Sequence, residues 1–133
     1  MFRLEKRYAE EMIAHARAEA PNECCGILAG KDGMITKLFR ATNAERSPVR
    51  YNIDSQELLK IYREIERKGW ELLGIYHSHP QSQAYPSLTD VQLALWPDSI
   101  CFIVSLMGER RPQISAFHIV NGVVSEEKLE VEG

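Results

Sequence analysis

The chain has 133 residues, enough for one compact domain spanning 1–133 and too few for two comfortable cores. Its 44% hydrophobic and 26% charged composition excludes a disordered or fibrous protein, and its net charge of −3 removes the overall basic footprint of a nucleic-acid binder. The charged opening MFRLEKRYAEEM has no signal-peptide core and no later run is long enough to span a bilayer, so a cytoplasmic chain with no membrane or nucleic-acid partner is expected.

Leu4, Tyr8, Met12 and Ala16 recur every fourth residue among charges, which predicts an amphipathic helix ending before Pro21, with His15 on its exposed side. Glu23 to Ala29 then reads as a short strand, and the turn Gly30-Lys31-Asp32-Gly33 leads into a second strand over Met34 to Arg40. The polar stretch from Ala41 to Val49 contains Pro48 and is expected to be a loop before a brief extended piece at Arg50 to Ile53. Asp54 or Ser55 caps a second helix carrying Leu58, Leu59, Ile61, Tyr62 and Ile65, with Arg67 and Lys68 in its last turn and Gly69 as its stop.

Glu71 to Tyr76 is an apolar run with the look of a central strand, and it delivers His77-Ser78-His79-Pro80 at its C-terminal end. After a loop, Ser87-Leu88-Thr89-Asp90 has the form of a helix N-terminus, followed by Val91, Leu93, Ala94 and Leu95 up to Pro97. Ile100 to Leu106 and Gln113 to Val120 read as strands, the turn between them carrying Glu109, Arg110 and Arg111 at a solvated tip. Asn121-Gly122 is a hairpin signal before a last strand from Val123 to Val131, which makes the final third largely antiparallel. Trp70 and Trp96 adjoin turns as packing residues, and His118 is an ordinary strand residue. Arg46, Arg50 and Tyr51 either meet a substrate tail or are plain surface; both readings stay open.

Cys24, Cys25 and Cys101 are odd in number and lack CxxC spacing, so neither a disulfide framework nor a cysteine metal site is indicated. The metal-ligand pattern lies elsewhere. His77 and His79, two apart on an extended segment, project to the same side, and Asp90 supplies a third ligand if the loop between them folds back. Two imidazoles and one carboxylate leave a tetrahedral zinc one position short, room for a water whose pKa zinc brings to about 7. Amide hydrolysis also needs a carboxylate that takes the water's proton and hands it to the departing amine. Glu23 is the candidate, although spacing alone does not bring it to the zinc. Ser87 either donates a hydrogen bond to the oxyanion or only caps the helix holding Asp90.

Taken together, Glu23, then His77-Ser78-His79-Pro80, six residues, then Ser87-x-x-Asp90 resemble the signature of the JAMM (MPN-plus) metallopeptidases. The resemblance implies a zinc ion on His77, His79 and Asp90, Glu23 as general acid/base and Ser87 as oxyanion support. It implies an α/β fold, a mixed curved β-sheet flanked by helices, similar to that of the cytidine deaminases. Deaminase chemistry itself is not supported, because the HxE and PCxxC signature is missing.

The motif ECCGIL, the YPS before the ligand aspartate and the lack of a large insertion between Asp90 and Ile100 look most like the short prokaryotic branch. That branch implies a substrate that is a ubiquitin-like β-grasp sulfur-carrier protein, hydrolysed at the amide of its C-terminal glycine, for example to release cysteine. One alternative is an isopeptidase that removes a ubiquitin-like modifier from lysine. Another is a non-catalytic MPN scaffold, although such scaffolds lack the ligands that this chain retains. The sequence leaves a homodimer open.

Overall fold

The apolar run before His77 becomes the middle of a sheet. The computed structural model describes residues 1–108 and 110–133, so Glu109 of the expected hairpin tip lies outside the described residues. In chain order the elements are β1 (Phe2–Glu5), α1 (Lys6–Glu19), β2 (Cys25–Lys31), β3 (Met34–Ala41), α2 (Ser55–Lys68), β4 (Glu71–His79), α3 (Leu88–Gln92), β5 (Ile100–Ser105), β6 (Gln113–Val120), β7 (Val123–Glu127) and β8 (Leu129–Glu132). A six-stranded sheet runs β3-β2-β4-β5-β6-β7, and β1 with β8 forms a separate two-stranded ribbon. Within the larger sheet only β4 and β5 are parallel. A parallel pair needs a long crossover, and the stretch carrying the loop and α3 supplies it.

The period of two along each strand sorts the residues onto two faces. Cys25, Ile27 and Ala29 of β2 and Ile75 of β4 pack with Ile61 and Ile65 of α2. Leu28, Tyr76, Phe102 and Val104 pack on the other side with Tyr8, Met12 and Ala16 of α1. The sheet is therefore buried on both faces, which is why its central strands read as continuous apolar runs. On β4 the alternation puts His77 and His79 on the α2 side with Ile75, and Ser78 on the α1 side with Tyr76. Gly26, opposite Tyr76, is required by that packing, since a Cβ there would collide with the Tyr76 ring.

Local chemistry explains the punctuation. Asp32 and Gly33 both take positive φ, 54° and 76°, as do Asn121 and Gly122 at 51° and 78°, the signature of tight hairpin turns that follow the twist of the strands. Asp54 caps α2 by accepting from Glu57 N–H at 3.1 Å, and Gly69 ends it at φ 70°.

Several expectations need correction. Leu4 belongs to β1, not to the first helix: Phe2 to Glu5 pairs in parallel with Leu129 to Glu132, a partner too remote for local periodicity to reveal. The same pairing breaks the expected last strand at Lys128 and turns its final residues away from β6. The final third is still largely antiparallel, through β5–β6 and β6–β7, with β8 as the exception. The strand after Pro21 starts at Cys25, leaving Glu23 off the ladder. The helix after Ser87 stops at Gln92, with Leu93 and Leu95 exposed. His15 is buried, its Nδ1 sharing a 2.7 Å hydrogen bond with the Tyr76 hydroxyl across the core. Trp70 and Trp96 pack against the α2-side core as expected, and the Trp96 indole donates to the Tyr62 hydroxyl at 2.6 Å. His118 sits half-buried on β6 with Glu127 Oε1 at 2.8 Å. No helix among the described residues is long and apolar enough to cross a membrane.

Candidate metal centre

The C-terminal end of β4 carries His77, fully buried, and His79, nearly so. The loop after Pro80 folds back, and α3 begins with a reciprocal cap. The Ser87 hydroxyl oxygen accepts from Asp90 N–H at 3.0 Å, while Asp90 Oδ2 accepts from Ser87 N–H at 2.9 Å. That cap aims the Asp90 carboxylate at the strand end. Asp90 Oδ2 lies 3.1 Å from His77 Nε2 and 3.0 Å from His79 Nε2, and the two ring nitrogens are 3.2 Å apart. One ligand atom from each residue lies within 4.8 Å of the other two.

The donor set is arranged for a cation. The Gln83 carbonyl, 2.8 Å from His79 Nδ1, can only accept, so that nitrogen carries the hydrogen. In the neutral ring the lone pair is then on Nε2, facing the Asp90 carboxylate oxygen. Two electron-rich atoms held at 3.0 Å repel unless a positive charge joins them, and a proton or a metal ion can serve. Burial alone would raise the Asp90 carboxyl, but bonding to both imidazoles and to Ser87 N–H holds it far below the usual carboxylate range. His77 is pushed down by its burial. His79 is raised against its burial by Asp90 and by the Gln83 carbonyl. The residues present thus fit a metal held by two imidazole nitrogens and one carboxylate oxygen.

Glu23 arrives at this centre through its backbone. Off the β2 ladder, its N–H donates to Ser47 O at 2.8 Å and its carbonyl accepts from Asn43 Nδ2 at 3.0 Å. Next to it, Cys24 N–H donates to Ser78 Oγ at 2.8 Å and Cys24 O accepts from Ser78 N–H at 3.1 Å. The middle residue of His77-Ser78-His79 therefore anchors the segment bearing Glu23, while its neighbours face the metal centre. The Glu23 side chain is buried, with Oε1 lacking a hydrogen-bond partner among the described residues. Burial raises its carboxyl to about 8; the nearby His79 lowers it and Asp90 raises it.

Ser87 uses only an oxygen lone pair in its cap, so its hydroxyl hydrogen is available to a substrate. Tyr51 stacks on the His77 ring with centroids 4.5 Å apart and planes at 20°. A cleft of about 220 Å³ opens beside Asp90, lined by Arg50, Tyr51, Leu93, Leu95 and Trp96. Arg46 is not on its wall. The cysteines stay out of the centre as thiols: burial pushes Cys24 up to about 11 and Cys101 up to about 12. Sequence reasoning missed Asn43 and Ser78. A serine between two ligand histidines must face away from the metal, which is a readable signal, whereas nothing local marks Asn43.

The chain as a whole is similar to known proteins. A family model for prokaryotic homologues of the JAB domain matches residues 5–119. The chain is similar to a CysO-cysteine peptidase of Mycobacterium tuberculosis, 44% identical over 90% of this chain and 84% of that one. It is also similar to a desampylase of Haloferax volcanii, 37% identical over 72% of this chain and 74% of the other. The solution structure of protein DSY2949 from Desulfitobacterium hafniense superposes with a TM-score of 0.89 at 36% identity, covering 99% of this chain and 93% of its own.

Proposed function

Because the chain belongs to the family of prokaryotic homologues of the JAB domain, we propose that it is a zinc-dependent peptidase of ubiquitin-like sulfur-carrier conjugates. It hydrolyses the amide that joins the C-terminal glycine of a β-grasp carrier to an amine such as that of cysteine, and acts as a single cytoplasmic domain over 1–133. The observation that carries this reading is the convergence of His77, His79 and Asp90, with ligand atoms within 4.8 Å of one another.

His77 Nε2, His79 Nε2 and an Asp90 oxygen would hold the zinc, with the Gln83 carbonyl fixing the His79 ring. When bound, zinc acidifies a water and polarises the carbonyl under attack. Glu23 takes the proton of the attacking water and delivers it to the departing nitrogen. A carboxyl raised to about 8 holds a proton readily, and positive charge at the neighbouring ligands would draw it down toward neutrality, where one group can both take and give. The Ser87 hydroxyl donates to the carbonyl oxygen as negative charge gathers there. The cleft beside Asp90 offers apolar walls at Leu93, Leu95 and Trp96 for an extended carrier tail.

The likeness to the mycobacterial peptidase favours a carrier–cysteine adduct, and the likeness to the desampylase supports a second reading in which lysine-linked conjugates are cut. Turnover of a carrier–cysteine adduct and of a lysine-linked conjugate, measured side by side with and without chelator, tests both. The cysteine adduct is expected to be cut faster, and chelator to stop the reaction. Glu23→Ala is expected to lower turnover by at least about a hundredfold while zinc still co-purifies. Full turnover in that variant sinks the assigned mechanism.

A further inference from the structure

The two histidines at the end of β4 are not oriented in the same way. His79 has the partner that a metal-binding imidazole ordinarily has: its far nitrogen, Nδ1, donates to the Gln83 carbonyl at 2.8 Å. The far nitrogen of His77 is buried and has no hydrogen-bond partner among the described residues. Its near nitrogen meets Asp90 Oδ2 at 3.1 Å, but no second polar contact at the far side fixes the plane of the ring among the described residues. What lies against that ring is Tyr51, with centroids 4.5 Å apart and planes at 20°, and on another side the edge of His79, with centroids 5.0 Å apart and planes at 60°.

Tyr51 belongs to no helix or strand, so a loop must hold it still. Asn43 does so. Its Nδ2 donates to Arg50 O at 2.9 Å and its Oδ1 accepts from Asn52 N–H at 3.1 Å, gripping the residues on both sides of Tyr51. The remaining capacity of that buried amide goes to Glu45 N–H at 3.0 Å and to the Glu23 carbonyl, also at 3.0 Å. An asparagine side chain has two donor hydrogens and two acceptor lone pairs, and here all four are used.

We propose that Tyr51 is a positioning residue that sets the plane of the His77 imidazole, doing by ring stacking what a hydrogen-bond acceptor does for His79, and that Asn43 locks the loop delivering it. The role rests on the reading of His77 as a zinc ligand. It assigns a task to the 42–54 segment, whose single buried amide reaches both the Glu23 backbone and the loop that covers His77.

Zinc affinity, measured by titrating the zinc-free protein against a chromophoric chelator, tests the proposal in three proteins: wild type, Tyr51→Phe and Tyr51→Leu. Loss of an orienting contact of this kind is expected to weaken binding by about 10–100-fold in Tyr51→Leu, while Tyr51→Phe, which keeps the ring, stays within about threefold of wild type. Thermal melts of the zinc-free proteins check that each remains folded. Wild-type affinity in Tyr51→Leu overturns the positioning role, as does Tyr51→Phe binding as weakly as Tyr51→Leu. A wild-type protein that takes up no zinc overturns the metal reading and this role with it, whereas normal wild-type uptake with equal affinity in all three removes only the role of Tyr51.

Discussion

His15 and His79 are both buried, yet their surroundings pull their protonation in opposite directions. His79 faces a carboxylate and a carbonyl, which favour its charged form over the cost of burial. His15 is lowered by burial and then by the Arg40 cation, with Glu19 opposing. Its fold-dependent proton balance has a definite sign. Above the ordinary histidine value of about 6.5 the ring is neutral folded or unfolded, and nothing is lost. As pH falls below that value the unfolded chain takes up a proton that the folded chain refuses, so stability declines. Urea midpoints at pH 7.5 and 5.5 are expected to drop more in wild type than in His15→Gln; equal drops would remove His15 as the cause. The burial of His15 was legible in principle, since it stands three residues after Met12 and seven after Tyr8, beside the apolar stripe of α1. The placement of His77 and His79 was plainer still: a two-residue spacing on a strand puts them on one side whatever the rest of the fold does. Glu23 was not readable from spacing, because its place depends on backbone bonds to Asn43 and Ser47, about twenty residues away.

Helix α3 is five residues long, too short to hold itself together without its cap. Its N-terminal signal was clear in the sequence, and the reciprocal bonds between Ser87 and Asp90 form as the pattern requires. Its length was misjudged because Leu93 and Leu95 continue an apolar pattern, yet they face the cleft beside Asp90 and not a core. A cleft wall imitated a packing surface there. The two tasks of Ser87 separate by substitution. Ser87→Ala is expected to cost about 0.5–2 kcal/mol of stability through the lost cap and roughly a hundredfold in turnover through the lost donor. Ser87→Asp restores a capping oxygen but carries no hydrogen and opposes developing negative charge, so the melt should recover while turnover does not. Recovery of both would assign Ser87 to capping alone. The hairpin of β2 and β3 and the helix α2 were legible for a simpler reason: their signals, Asp32-Gly33, Asp54 and Gly69, act over a few residues.

Across the whole molecule, the repulsion at the strand end is relieved when a cation binds, so zinc should stabilise the fold. Zinc at a hundredfold over its dissociation constant adds about 2.7 kcal/mol, and a thermal melt with zinc should lie several degrees above one with chelator. Coincident melts would mean that the ion does not prefer the folded chain. Strand order was the least legible level. That β4 sits between β2 and β5 follows from pairings among segments far apart in sequence, and no local pattern announces them.

The ribbon of β1 and β8 shows the largest such separation, pairing Phe2 with Leu129 and Leu4 with Val131. Phe2 packs edge-on against Phe102 and Leu4 is fully buried, yet the backbone of β1 gains its strand partner only once β8 has left the ribosome. A chain stopped at Lys128 would keep His77, His79 and Asp90 and still lack the strand that pairs with β1.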